Sequence, residues 1–198
     1  MKFPLQLTFK VLAFSPQIYV RDADGASVLY VQQRLFKLKE SIRVFLDETK
    51  SREIFHIDAD RVLDISAKYT FTVPETNTVI GGVQRSGMRS LWRAHYKVLD
   101  EQGGPLFDIE EENPWIKMLD GLLANVPVVS AFTGMFLNPA YRAQRHNTKE
   151  PVMRLVKRRA FLEGRFTIEK ENVVLDEKQQ LQLVLALFMV TLLERRRG

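Results

Sequence analysis

Five basic side chains, Arg154, Lys157, Arg158, Arg159 and Arg165, stand close together in the last quarter of the chain. Guanidinium and ammonium groups at this density attract phosphate, whether from a lipid headgroup or from a nucleic-acid backbone. They belong to a stretch, 141–170, that carries nine basic residues against three acidic ones. The whole chain nets only +5, and residues 101–120 hold six acidic residues against one basic. Charge is therefore segregated along the chain. Two readings stay open: the five residues dock on anionic headgroups, or the basic side chains decorate outward strand faces and pair with the acidic stretch. Nucleic acid, attracted by the same field, is a distant third.

The other chemistry-bearing residues are sparse. His56, His95 and His146 are far apart and none has a second ligand at metal spacing, so ordinary surface or rim positions are expected. His95 shares its face with Arg93 and Lys97. Glu110, Glu111 and Glu112 read as negative charge placed at the start of a helix, where the dipole favours it. Gly81-Gly82 sits inside a strand pattern, which marks a bulge or a close approach. The absence of cysteine excludes disulfides, zinc thiolates and thiol nucleophiles. No set of nucleophile, base and orienting group is visible, so we expect no enzyme activity, no metal and no cofactor.

The elements that must position these residues come from the pattern. With 198 residues, 45% apolar and 27% charged, the chain has the make-up of a folded protein, and a single domain over 1–198 is expected. The dominant signal is period-2 alternation. In 93–98, Ala94, Tyr96 and Val98 oppose Arg93, His95 and Lys97; in 164–169, Phe166 and Ile168 oppose Arg165, Thr167 and Glu169. Similar strands fall near 3–13, 17–22, 27–33, 41–46, 53–58, 67–73, 77–84, 105–109 and 152–157, with one or two more within 128–145. About a dozen antiparallel strands result. Asp22-Ala23-Asp24-Gly25 and Asp100-Glu101-Gln102-Gly103 are turns, the aspartate bonding the amides that follow it and the glycine relieving the backbone. A short helix is expected near 113–125, capped by Asn113 with Pro114 at its first position.

A second helix opens at Asp176, with Gln179 placed for a capping box, and ends in Glu194-Arg195-Arg196-Arg197. Across 181–193 only Gln182 and Thr191 are polar, and at 100° per residue they lie on opposite sides. Such a helix is buried all round. Thirteen residues reach roughly 20 Å, against a hydrocarbon core of roughly 30 Å, so it does not span a bilayer. A closed sheet of about twelve strands has an interior that its own side chains cannot fill. The helix is expected to fill it.

That architecture resembles the tubby-like superfamily, which includes the LURP-one-related proteins and the phospholipid scramblases. The resemblance rests on Ile18-Tyr19-Val20-Arg21-Asp22 with Gly25, Val28-Leu29-Tyr30-Val31-Gln32, Phe36-Lys37-Leu38-Lys39-Glu40 and Ile80-Gly81-Gly82-Val83-Gln84-Arg85. Tyr96-Lys97-Val98-Leu99-Asp100 and the final apolar helix complete it. It implies a twelve-stranded barrel around a central helix, in a superfamily with members that bind phosphoinositides or act at membranes. For this chain it implies a non-enzymatic barrel in the cytoplasm, peripheral to an anionic membrane. The alternative is a structural or protein-interaction barrel with no lipid ligand. Scramblases carry a cysteine cluster and an acidic calcium segment before the last helix. Here there is no cysteine, and Glu169, Glu171, Asp176 and Glu177 are not spaced as a calcium loop.

Overall fold

The computed structural model describes residues 1–10, 17–33, 41–60, 67–86, 94–112, 139–158 and 163–195. Twelve strands precede one helix: β1 (Leu5–Lys10), β2 (Gln17–Arg21), β3 (Ser27–Gln33), β4 (Ser41–Phe45), β5 (Glu53–Ala59), β6 (Lys68–Val73), β7 (Thr78–Arg85), β8 (His95–Leu99), β9 (Pro105–Glu111), β10 (Ala140–Arg145), β11 (Pro151–Arg158), β12 (Glu163–Lys170) and α1 (Glu177–Arg195). Each strand pairs antiparallel with its chain neighbours, and β1 closes the barrel on β12 through Leu5↔Ile168, Leu7↔Phe166 and Phe9↔Gly164. The expected helix at 113–125, and the part of the strand expected within 128–138, lie outside the described residues.

Alternation decides which face of each strand is inside. Leu5, Leu7 and Phe9 are buried on β1, Val98 and Tyr96 on β8, and Leu155 and Met153 on β11. Their outward neighbours carry the charge. The turns behave as their residues dictate: Asp22 Oδ1 accepts from the amides of Asp24 and Ala26, and Gly25 takes φ +82°. Asp100 repeats this with Gln102 and Gly104, while Gly103 takes φ +89°. These turns sit where the even strands end.

Helix α1 runs back through the barrel. Its first turn is capped by Asp176 Oδ1, which accepts from the Gln179 amide at 2.7 Å. Leu183, Val184, Leu185, Ala186, Leu187, Phe188, Met189 and Val190 are all fully buried, so every side of the helix meets strand side chains. Both polar residues donate to backbone carbonyls, while the buried Gln182 Oε1 has no hydrogen-bond partner among the described residues. Gln182 donates its amide to the Ile80 carbonyl on β7, and Thr191 Oγ1 donates to the Phe188 carbonyl one turn back. Gly81 makes the first contact possible. A Cβ there, at φ +145°, would lie 2.6 Å from the Leu99 carbonyl and 2.8 Å from Gln182 Nε2. The bulge or close approach expected at Gly81-Gly82 takes both forms: the β6–β7 register shifts beside Gly81, which meets strand β8 and the helix, and a Cβ on Gly82 would lie 2.5 Å from the Tyr69 carbonyl of β6.

Candidate functional site

The basic stretch folds into β10, β11 and β12, three neighbours in the barrel wall. Their strand residues include seven basic and two acidic side chains. The turns at the ends of the even strands, together with residues 1–4 and 171–176, hold ten acidic and four basic residues. The barrel therefore has a basic wall and an acidic end.

On that wall the register matters more than the count. Arg142 on β10 and Arg154 on β11 are direct cross-strand partners, and their guanidinium groups converge on Glu112. Arg154 Nη2 donates to Glu112 Oε2 at 2.7 Å and Arg142 Nε to Oε1 at 3.1 Å, with only 12% of the Glu112 side chain exposed. The Arg154 fork holds the Glu112 carboxyl below the usual carboxylate range, burial opposing it and the Arg142 charge assisting. Four residues further along β11, nearer the other end of the barrel, Arg158 and Arg165 face each other in the same way across β11 and β12, and Arg165 in turn faces Thr8 on β1. Arg158 reaches Glu169 Oε1 at 2.6 Å and Thr167 Oγ1 at 3.0 Å. Lys157 has the inward parity of Leu155, at the strand end opposite Phe166. Arg159 lies outside the described residues. Of the five residues singled out in the sequence, the structure thus brings Arg158 and Arg165 together and ties Arg154 to the acidic stretch.

The helix that the three glutamates are expected to precede lies outside the described residues. Glu110 and Glu111 belong to strand β9, Glu110 facing outward opposite Arg142 and Glu111 buried at the inner face. His95 stands on the outward face of β8 and His146 in the turn after β10. His95 and His146, remote in sequence, meet on Asp108, whose side chain is 2% exposed. His146 Nδ1 lies 3.0 Å from Asp108 Oδ2, His95 Nε2 is 3.9 Å from Oδ1, and the Lys149 ammonium donates to Oδ2. Burial raises the Asp108 pKa, yet the bonds from Lys149 and His146 outweigh it and hold the carboxyl below its ordinary value. For His95 burial dominates and lowers the pKa, against the pull of Glu110 and Asp108. Parity alone puts His95 and Lys97 on the outward face of β8; the register with β9 then sets Asp108 opposite Lys97 and Glu110 opposite His95.

His56 makes a further cluster, with Ser41 Oγ 2.8 Å from Nε2 and Glu53 Oε1 2.8 Å from Nδ1. The order serine, histidine, carboxylate is that of an activated nucleophile. Asp58 Oδ1, however, lies 3.3 Å from the same Nε2, so the ring faces a carboxylate on each side, and its contact with Ser41 links β5 to β4. Among the described residues no group of three or more histidines and carboxylates is placed to hold a metal ion.

Barrel, central helix and basic wall together invite comparison with known families, and the LURP-one-related family model matches residues 27–191. The chain belongs to the LURP-one-related family. This family shares the tubby-like superfamily fold, here a closed antiparallel barrel around one helix, and is generally non-enzymatic. No curated protein and no solved structure matches the chain. Among its described residues, no helix of this LURP-one-related protein is long and apolar enough to cross a membrane.

Proposed function

We propose that this LURP-one-related barrel is a non-enzymatic binding module, one unit over 1–198, that docks on anionic phospholipid or phosphoinositide headgroups at a cytoplasmic membrane surface. The observation that carries the reading is the gathering of the basic stretch onto three adjacent strands, with Arg154, Lys157, Arg158 and Arg165 on or at the end of one wall. Arg159 follows β11 directly in the chain. Each such cation near an anionic surface contributes about 1 kcal/mol. The acidic turns would be repelled by that surface, so the barrel docks by its side wall with the turn end averted.

The alternative reading, a structural or protein-interaction barrel without a lipid ligand, is favoured by one observation: Glu112 already neutralises part of the wall through Arg142 and Arg154. Co-sedimentation with neutral, phosphatidylserine and phosphoinositide vesicles separates the two, with DNA and RNA assayed alongside. The docking reading expects binding to anionic vesicles only, weakening steeply as salt rises and the Debye length shrinks from about 10 Å at 0.1 M. Absence of vesicle binding at low salt favours the interaction barrel, and tighter binding to nucleic acid than to any vesicle overturns the lipid assignment.

A further inference from the structure

The wall contains a worked example of what a facing pair of arginines does with an anion. Arg142 and Arg154, cross-strand partners on β10 and β11, close on the Glu112 carboxylate from two sides. Like charges directly opposite on neighbouring strands repel, and the shared carboxylate removes that penalty. Arg158 and Arg165 repeat the facing arrangement on β11 and β12, about 13 Å further along β11 at 3.3 Å per residue. The carboxylate at this second pair lies nearer solvent: Glu169 is 39% exposed against 12% for Glu112.

Resting on the docking reading above, we propose that Arg158 and Arg165 form a clasp for the phosphomonoester group of a membrane lipid, and that Glu169 holds Arg158 in place until that phosphate displaces it. A phosphodiester presents two free oxygens and one charge to the two guanidinium groups, whereas a phosphomonoester presents three terminal oxygens and up to two charges, enough to neutralise both. The Thr167 hydroxyl, already bonded to Arg158, and Thr8, the register partner of Arg165, supply neutral donors on the same face. Glu169 also lies 4.0 Å from Arg154, so it can fall back on a second cation when Arg158 turns to the phosphate. The docking reading asks only for negative surface charge; the clasp asks for a particular phosphate.

The test compares phosphatidic acid vesicles, which carry a phosphomonoester, with phosphatidylserine vesicles adjusted to the same zeta potential. Wild type, Glu169→Gln, Glu171→Gln, Arg158→Ser and Arg165→Ser are sedimented with each, after thermal melts establish that all five are folded. Glu171→Gln adds the same unit of charge two residues away and touches neither arginine. The clasp predicts that wild type reaches half-binding at about fivefold less phosphatidic acid than phosphatidylserine. It predicts that Glu169→Gln lowers the phosphatidic acid requirement by a further factor of about three, beyond whatever Glu171→Gln achieves, and that either arginine variant erases the preference. Equal binding to the two lipids, or equal effects of the two glutamine variants, overturns the clasp while leaving wall docking intact if wild type still binds both. Binding to neither lipid by any form overturns both.

Discussion

The inside of the barrel and its basic wall obey different rules. Inside, alternate strand residues and α1 share one apolar core, and the polar side chains of the helix donate to backbone carbonyls, Gln182 to Ile80 and Thr191 to Phe188. On the wall the partners are remote: Arg154 and Glu112 are 42 residues apart, and Lys149 and Asp108 are 41 apart. Burial of the interior follows from composition and periodicity alone, whereas the electrostatics of the wall follow from register between strands. The difference teaches that the same substitution, loss or gain of one charge, has consequences that fall steeply from inside to outside.

The steepest case is Leu185→Asp. Leu185 is fully buried in α1, and an unpaired carboxylate there, added to lost packing, exceeds the stability of about 5–15 kcal/mol that folded proteins possess. The expected outcome is loss of the far-UV strand signal and of soluble expression; a folded variant with the wild-type melting temperature would mean that the helix is not enclosed.

Asp108→Asn tests the most buried charge of the outer face. It leaves Lys149, His146 and His95 without their shared carboxylate and is expected to remove about 2 kcal/mol in urea unfolding at neutral pH. The sign with pH is fixed. Because the folded Asp108 titrates below its ordinary value of 3.8, its contribution is present above that value and is lost as pH falls through the folded one. His95, also shifted down, adds a loss beginning as pH falls below the ordinary histidine value of 6.5. Asp108→Asn flattens the stability curve below about pH 4 and leaves the histidine part in place. A variant whose curve is parallel to wild type there would contradict the assignment.

A smaller effect is expected of Glu112→Gln, which loosens Arg142 and Arg154 at a partly exposed site and costs about 1 kcal/mol. It also frees two guanidinium groups, so binding to anionic vesicles should strengthen while stability falls. Movement of both in the same direction would break the link between ion pairing and docking. At the bottom of the scale, joint replacement of Lys157, Arg158 and Arg159 by Ser should change stability by less than about 0.5 kcal/mol, read as an almost unmoved melting temperature.

The fold was legible because its signals are local. Alternation in 93–98 and 164–169 places Tyr96, Val98, Phe166 and Ile168 on the correct faces, Asp22 and Asp100 make the turns their residue types imply, and the two polar residues of α1 are too few for a solvent face. The site was legible only as composition. Nothing local says that Arg158 faces Arg165, that Glu112 lies between Arg142 and Arg154, or that His95 and His146 share Asp108, since each depends on how many residues the intervening turns and bulges use. Two strand pairs illustrate this: the register shifts at Ala143/Gln144 and at Val98/Leu99 reset the partners on either side. Strand length is equally hard to read: β9 runs two residues further than the alternation in 105–109 suggests, to Glu111.

The central claim is that docking depends on where the positive charge sits and not on how much there is. Two triple variants that lose the same three charges test it: a wall variant, with Lys157 and Arg158 at the end of β11 and Arg159 next in the chain changed to Ser, and a second with Arg43, Lys50 and Arg52 changed to Ser on and after β4, five strands away round the barrel. Both are co-sedimented with anionic vesicles at low salt beside wild type. The account predicts that the wall variant loses most of its binding while the β4–β5 variant keeps most of it; equal losses in the two, or unchanged binding by the wall variant, would contradict it.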